Sequence, residues 1–206
     1  MARLNVNPTR MEMKKLKARL STAVRGHKLL KDKSDEMIRR FSIIIRENKK
    51  LRDEVEEELA EVLKQFSVAR SITPAYQAEA AFAMPSVSIH AECGLDSIMG
   101  VEVPKLSVSS DKSTDELPYA LPEITSEADY SVERAAALIP KMLKLAEVEK
   151  TVRMLADEIE RNKRRVNALE YVMIPQLEET IKYIKSKLDE NERAAVIRLM
   201  KVKNRG

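Results

Sequence analysis

Residues 13–69 carry an apolar seam that advances by alternating steps of three and four: Met13, Leu16, Leu20, Ala23, His27, Leu30, Ser34, Met37, Phe41, Ile44, Asn48, Leu51 and Val55. This spacing keeps one stripe of an α-helix facing a single partner, with polar interruptions at His27, Ser34 and Asn48. The seam continues through Leu59, Val62, Phe66 and Ala69, and the two steps of four at 51–55–59 locally relax a left-handed supercoil. Between Thr9 and Thr73 the only glycine is Gly26, and there is no proline. About 60 residues can therefore be helical, on the order of 90 Å of helix, which no compact domain of this size needs.

A helix start is expected at Thr9-Arg10-Met11-Glu12, a T-x-x-E capping box in which the threonine oxygen and the glutamate carboxylate satisfy free backbone N–H groups. A second seam runs through Leu138, Met142, Leu145, Val148, Val152, Leu155, Ile159, Asn162, Val166, Leu169, Met173, Leu177, Ile181, Ile184, Leu188 and Ala195. It opens among competing caps at residues 126–131 and reaches about Lys203. Met173, Leu177 and Ile181 again step by four and four, and Pro175 falls in that interval. An interior proline removes a backbone bond and costs about 3 kcal/mol unless packing holds the bend, and here the seam resumes beyond it. Pro140 is read as a first-turn boundary or a second kink.

The connecting residues 72–127 hold Pro74, Pro85, Pro104, Pro118 and Pro122. Alternation in SVSIHAEC (86–93) and GVEVPKLSV (100–108), with GLDSIMG between, predicts a β-hairpin whose second strand is an edge because of Pro104. The fold class expected is all-α in the main: a long antiparallel two-helix coiled coil, residues 1–71 and 128–206, around a hairpin-containing insert at 72–127, together one structural unit. Each apolar stripe must be buried against something, and short of an external partner that is the other helix. If Ala69 lies beside about Ser131, opposed residues should sum to near 200, placing Leu16 against Ile184 and both termini at the same end.

Charge is unevenly laid out. Residues 1–71 carry 18 Lys+Arg against 11 Asp+Glu, residues 72–127 carry 2 against 9, and residues 128–206 carry 17 against 13. The terminal end is thus basic. Catalytic chemistry is scarce: the glycines at 26, 94, 100 and 206 build no phosphate cradle, and His27 and His90 lack the spacing of a zinc site. Paired glutamates such as Glu178 and Glu179 read as a solvated helix face, and Met13, Met37, Met142 and Met173 as core. No cofactor, metal or reaction is expected of this chain. The lone Cys93 points to a reducing compartment and a filler role. MARLNVNPTR lacks the apolar stretch of a secretion signal, and no apolar run approaches the roughly 20 residues a membrane span requires. Basic ends without interleaved aromatics or a groove-reading motif argue against nucleic acid.

Residues 4–33, LNVNPTRMEMKKLKARLSTAVRGHKLLKDK, and 164–203, RRVNALEYVMIPQLEETIKYIKSKLDENERAAVIRLMKVK, closely resemble the central-stalk D subunit of V-type and archaeal A-type rotary ATPases. The resemblance implies a non-catalytic rotor shaft, cytoplasmic and peripheral to the membrane. Its paired termini would enter the hexamer of A and B subunits, with an F subunit on its flank and a funnel-shaped C- or d-type component linking it to the membrane ring. Position and charge then nominate Arg3, Arg10, Lys14, Arg193, Arg198, Lys201 and Lys203 as contacts inside the hexamer. Arg164, Arg165, Asn167, Glu170 and Tyr171 are nominated as mid-shaft contacts with the collar or F subunit. From pattern alone a prefoldin-like chaperone or a coiled-coil scaffold shares the helix, hairpin, helix order. The chaperone's tips would be apolar, whereas the tip here is charged.

Overall fold

A computed structural model describes residues 3–81, 88–111 and 126–204. The elements run α1 (Arg10–Ile72), α2 (Ala75–Ala81), β1 (Ser88–Ile98), β2 (Val101–Asp111), α3 (Ser126–Ala168), a π-helical turn (Leu169–Met173) and α4 (Ile174–Lys203). The coarse order is the one the seams predict: a long N-terminal helix, a two-stranded insert and a long C-terminal helical arm. Residues 86 and 87 of the expected first strand lie outside the described residues, as do residues 82–85 and 112–125 of the insert.

Thr9 caps α1 by accepting the Glu12 N–H on Oγ1 at 3.2 Å. Only half of the capping box forms. The Thr9 N–H goes to the Asn7 carbonyl at 2.9 Å, and the Glu12 carboxylate turns outward to Lys15 Nζ at 2.9 Å. An ion pair one turn along is an alternative that a short carboxylate reach cannot combine with the reciprocal bond.

The chain forms two compact units, Met1–Ile38 with Ile159–Gly206, and Arg39–Glu158. In the first, Leu16, Leu177 and Ile184 form a buried cluster at 2%, 5% and 0% exposure, flanked by Leu20, Ala23, Ile181 and Leu188. Leu16 and Ile184 meet as their positions require, and the Arg10–Glu192 ion pair and the His27–Glu170 contact cross between the helices in the same antiparallel sense.

The π-helical turn answers the proline's presence. The Ile174 N–H reaches the Leu169 carbonyl, a span of five residues, and Pro175 follows at the start of α4. Pro175 has no N–H to give and its ring crowds the preceding turn, so opening that turn by one residue relieves both at once. The extra residue rotates the stripe. Met173, a seam position by count, is 50% exposed, while Ile174 beyond it is half-buried. The expectation that Met173 is core is corrected on that ground.

The second unit buries Val55 and Ala69 of α1, Val103 of β2, and Ala128, Ser131, Leu138, Thr151 and Leu155 of α3. Within this unit Lys141–Glu58 and Arg52–Glu149, the latter at 3.6 Å, pair α1 with α3 in the antiparallel sense. Met142 is 43% exposed rather than core, because it sits about 40° round the helix from the buried Leu138 and marks the rim of the stripe. Pro140 lies well inside α3, not in its first turn, on an exposed face where water can take the carbonyl bond it forfeits.

The strands of the hairpin are longer than alternation suggests. Five residues of GLDSIMG belong to β1, and the connection shrinks to Met99-Gly100, with φ of 55° and 83°. Two successive positive φ values match the twist of a tight hairpin, and glycine meets the second without strain. Counting from the Ile98–Val101 closing pair, Pro104 and Leu106 fall at pairs whose N–H direction points away from β1. Proline loses nothing there. At Leu106 the outward N–H donates to the Glu147 carboxylate of α3 at 2.7 Å, tying the hairpin to the helix. Glu147→Ala should release that edge: exchange of the Leu106 amide measured by NMR is expected to rise about tenfold or more, since a hydrogen bond to a charged group contributes roughly 1.5–3 kcal/mol.

Candidate interaction surfaces

Beyond Glu192, no helix among the described residues faces α4, because Glu192 already pairs with Arg10, the first residue of α1. From Arg193 to Asn204 every residue but Ala194 is exposed, which explains why Ala195, a seam position by count, is not buried. Val196, Ile197, Leu199, Met200 and Val202 are 49–71% exposed there, interleaved with Arg193, Arg198, Lys201 and Lys203. No acid follows Glu192 in the chain. An apolar and cationic helix end of this kind leaves hydrophobic area in water that a protein partner would remove.

The other cations nominated for the tip are distributed differently. Arg10 is engaged with Glu192, and Lys14 is exposed one turn into α1. Arg3 lies away from the end, its guanidinium 4.6 Å from the ring centroid of Tyr183, while the Leu4 N–H donates to Thr180 Oγ1 at 3.2 Å. Residues 3 and 4 therefore lie back along α4. A local sequence pattern does not disclose this contact, because it joins positions about 180 residues apart.

At mid-arm, Arg164 pairs with Glu160 one turn back, and Arg165 Nη1 stands 3.5 Å from Asn162 Oδ1. Asn167 is exposed. Glu170, in the π-helical turn, meets His27 Nε2 at 3.3 Å, a pair that the sum of near 200 already brought within reach. Tyr171, Val172 and Met173 are 50–61% exposed and make the turn itself an apolar patch. The structure thus brings Glu170 and Tyr171 onto one unusual turn and leaves Arg164, Arg165 and Asn167 on the preceding regular helix.

Among the described residues no group of three or more His, Cys, Asp and Glu is placed to hold a metal ion. No described helix is long and apolar enough to cross a membrane. Titration is disturbed on α4 at one exposed pair: the hydrogen bond from Lys187 holds the Glu190 carboxyl below its ordinary value and raises the Lys187 ammonium. A lowered carboxylate pKa gives support that is present above the ordinary value and lost as pH falls through the lowered one. On a solvated surface salt screens it.

These features define a class: a paired-helix protein whose described residues present exposed apolar and cationic surfaces for contact. The family profile for the ATP synthase D subunit matches residues 12–204. The V-type ATP synthase D subunit of Thermoanaerobacter sp. (strain X514) is 50% identical over 203 residues, covering 98% of this chain and 97% of the relative. Its namesake in Clostridium novyi (strain NT) is 50% identical over 206 residues, with 98% and 95% covered, and that of Streptococcus pyogenes serotype M3 (strain ATCC BAA-595 / MGAS315) is 49% identical, with 98% and 99% covered. The chain belongs to the family of ATP synthase D subunits.

Proposed function

We propose that this chain is the central-stalk shaft of a V-type or A-type rotary ATPase. It works as a non-catalytic part of that complex, cytoplasmic and peripheral to the membrane. It carries torque between the hexamer of A and B subunits, where ATP is hydrolysed or made, and the membrane ring that moves protons or sodium ions. The observation that carries the reading is the unpaired end of α4, which joins exposed apolar side chains to cations in a chain of this family. Inside a ring of non-identical interfaces, a charged and apolar tip makes unequal contacts as it turns, and each orientation favours one state of the surrounding subunits.

In this reading Arg10, Lys14, Arg193, Arg198, Lys201 and Lys203 face the hexamer. Arg164, Arg165, Asn167, Glu170 and Tyr171 meet an F subunit, where the exposed apolar π-helical turn supplies buried area and its polar neighbours supply orientation. A funnel-shaped component of the C or d type then couples the shaft to the ring. Two long packed helices suit torque, since their hydrophobic seam resists separation along its length.

The test is an affinity purification of the tagged chain from native membranes, with the attached polypeptides identified by mass. Recovery with A, B and F subunits is the expected result. Recovery without the hexamer subunits, or with unfolded client proteins instead, would reject the shaft in favour of a chaperone or scaffold.

A further inference from the structure

The segment preceding α1 is held by four separate devices. Arg3 stacks on Tyr183, the Leu4 N–H binds Thr180 Oγ1, and Leu4 and Val6 pack against the Leu16, Leu177, Ile184 cluster. The segment is also folded on itself, with the Val6 N–H on the Leu4 carbonyl at 3.1 Å and the Thr9 N–H on the Asn7 carbonyl. Thr180 is 1% exposed and donates its hydroxyl to the Gln176 carbonyl at 2.6 Å, so its oxygen is fixed with a lone pair aimed at the incoming backbone.

Leu4, with Ala18 and Arg19 of α1, lines two open grooves. One, of about 500 Å³, also takes in Val6, Lys15 and Leu16, and the other, of about 490 Å³, Ala23, Met173 and Leu177. Lifting the segment would remove Leu4 from both and uncover the buried cluster.

We infer that residues 3–7 form a strap across α1 and α4, latched at Thr180 and Tyr183, that keeps this end of the helix pair closed. Arg3 is then a positioning residue for the strap rather than a member of the cationic tip. The strap is a light closure: one neutral hydrogen bond, one cation–π contact and two apolar side chains. Each can release without unfolding the helices, which places its opening at the low end of local unfolding free energies. The inference concerns the chain's own closure and stands whether or not the shaft function holds.

Hydrogen exchange on the full chain tests it. Thr180→Val keeps the side-chain shape and removes the acceptor, and should speed exchange of the Leu4 amide roughly three- to tenfold, as expected for one lost hydrogen bond. Removing residues 2–7 should speed exchange in residues 10–20 and 177–188 while leaving residues 39–158 unchanged. Arg3→Ala and Tyr183→Ala should each loosen the strap and their effects should not add, because they break the same contact. Exchange in 10–20 and 177–188 within twofold of the parent after the deletion would overturn the strap. So would additive effects of the two point variants. If Arg3→Ala leaves exchange unaltered and weakens only recovery of the hexamer subunits, the strap assignment of Arg3 fails while the shaft reading survives.

Discussion

Replacing Ile184 by alanine should destabilise the unit built from residues 1–38 and 159–206 by about 3–4 kcal/mol, the usual range for emptying a fully buried branched aliphatic site. Ile184 is 0% exposed at the centre of the Leu16, Leu177 cluster, so little can collapse into the cavity without separating α1 from α4. Urea unfolding followed by far-UV circular dichroism measures it. Met173→Ala is the matched control: the same heptad count assigns it to the seam, yet it is 50% exposed, and its replacement should cost less than about 1 kcal/mol. Equal losses at the two positions would contradict the rotation of the stripe by the π-helical turn.

Truncation after Glu192 should separate folding from coupling. Residues 193–204 bury almost nothing within the chain, and the helix pairing ends with Arg10 and Glu192. The truncated chain is therefore expected to keep its stability within about 1 kcal/mol of the parent. In the reassembled complex, ATP-driven ion pumping should fall to a small fraction of the parent rate. The loss should be partly reproduced by neutralising Arg193, Arg198, Lys201 and Lys203 together. Unchanged pumping after truncation would show that the apolar, cationic end does not serve as the tip of a shaft.

Position along the seam is legible from residue spacing, and the antiparallel register follows once the insert sets Ala69 beside about Ser131, since a periodic stripe alone permits slides of whole heptads. Arg10–Glu192, His27–Glu170, Arg52–Glu149 and Lys141–Glu58 all fall within a few residues of that register. His27 was legible only as a polar interruption, while its partner Glu170 stood out as a candidate contact. Their union depends on distance in space. The tip cations Arg193, Arg198, Lys201 and Lys203 are legible in charge and position, whereas the exposure of the apolar residues between them is not, because a helical stripe reads the same whether or not something faces it.

What the amino-acid sequence determined by itself was local and periodic: where helices begin, which stripe is apolar, where proline must disturb the backbone, and which family the two terminal segments resemble. Those properties depend on neighbours within about a turn, so they are written at short range. Tertiary structure decided how the Pro175 strain was absorbed, whether Met142, Met173 and Ala195 were covered, that Glu147 holds the free edge of β2, and that the first residues return to Thr180 and Tyr183. Each of these outcomes is a competition between a local preference and a contact far away in the chain, and only the assembled backbone brings the competitor within hydrogen-bonding or van der Waals range.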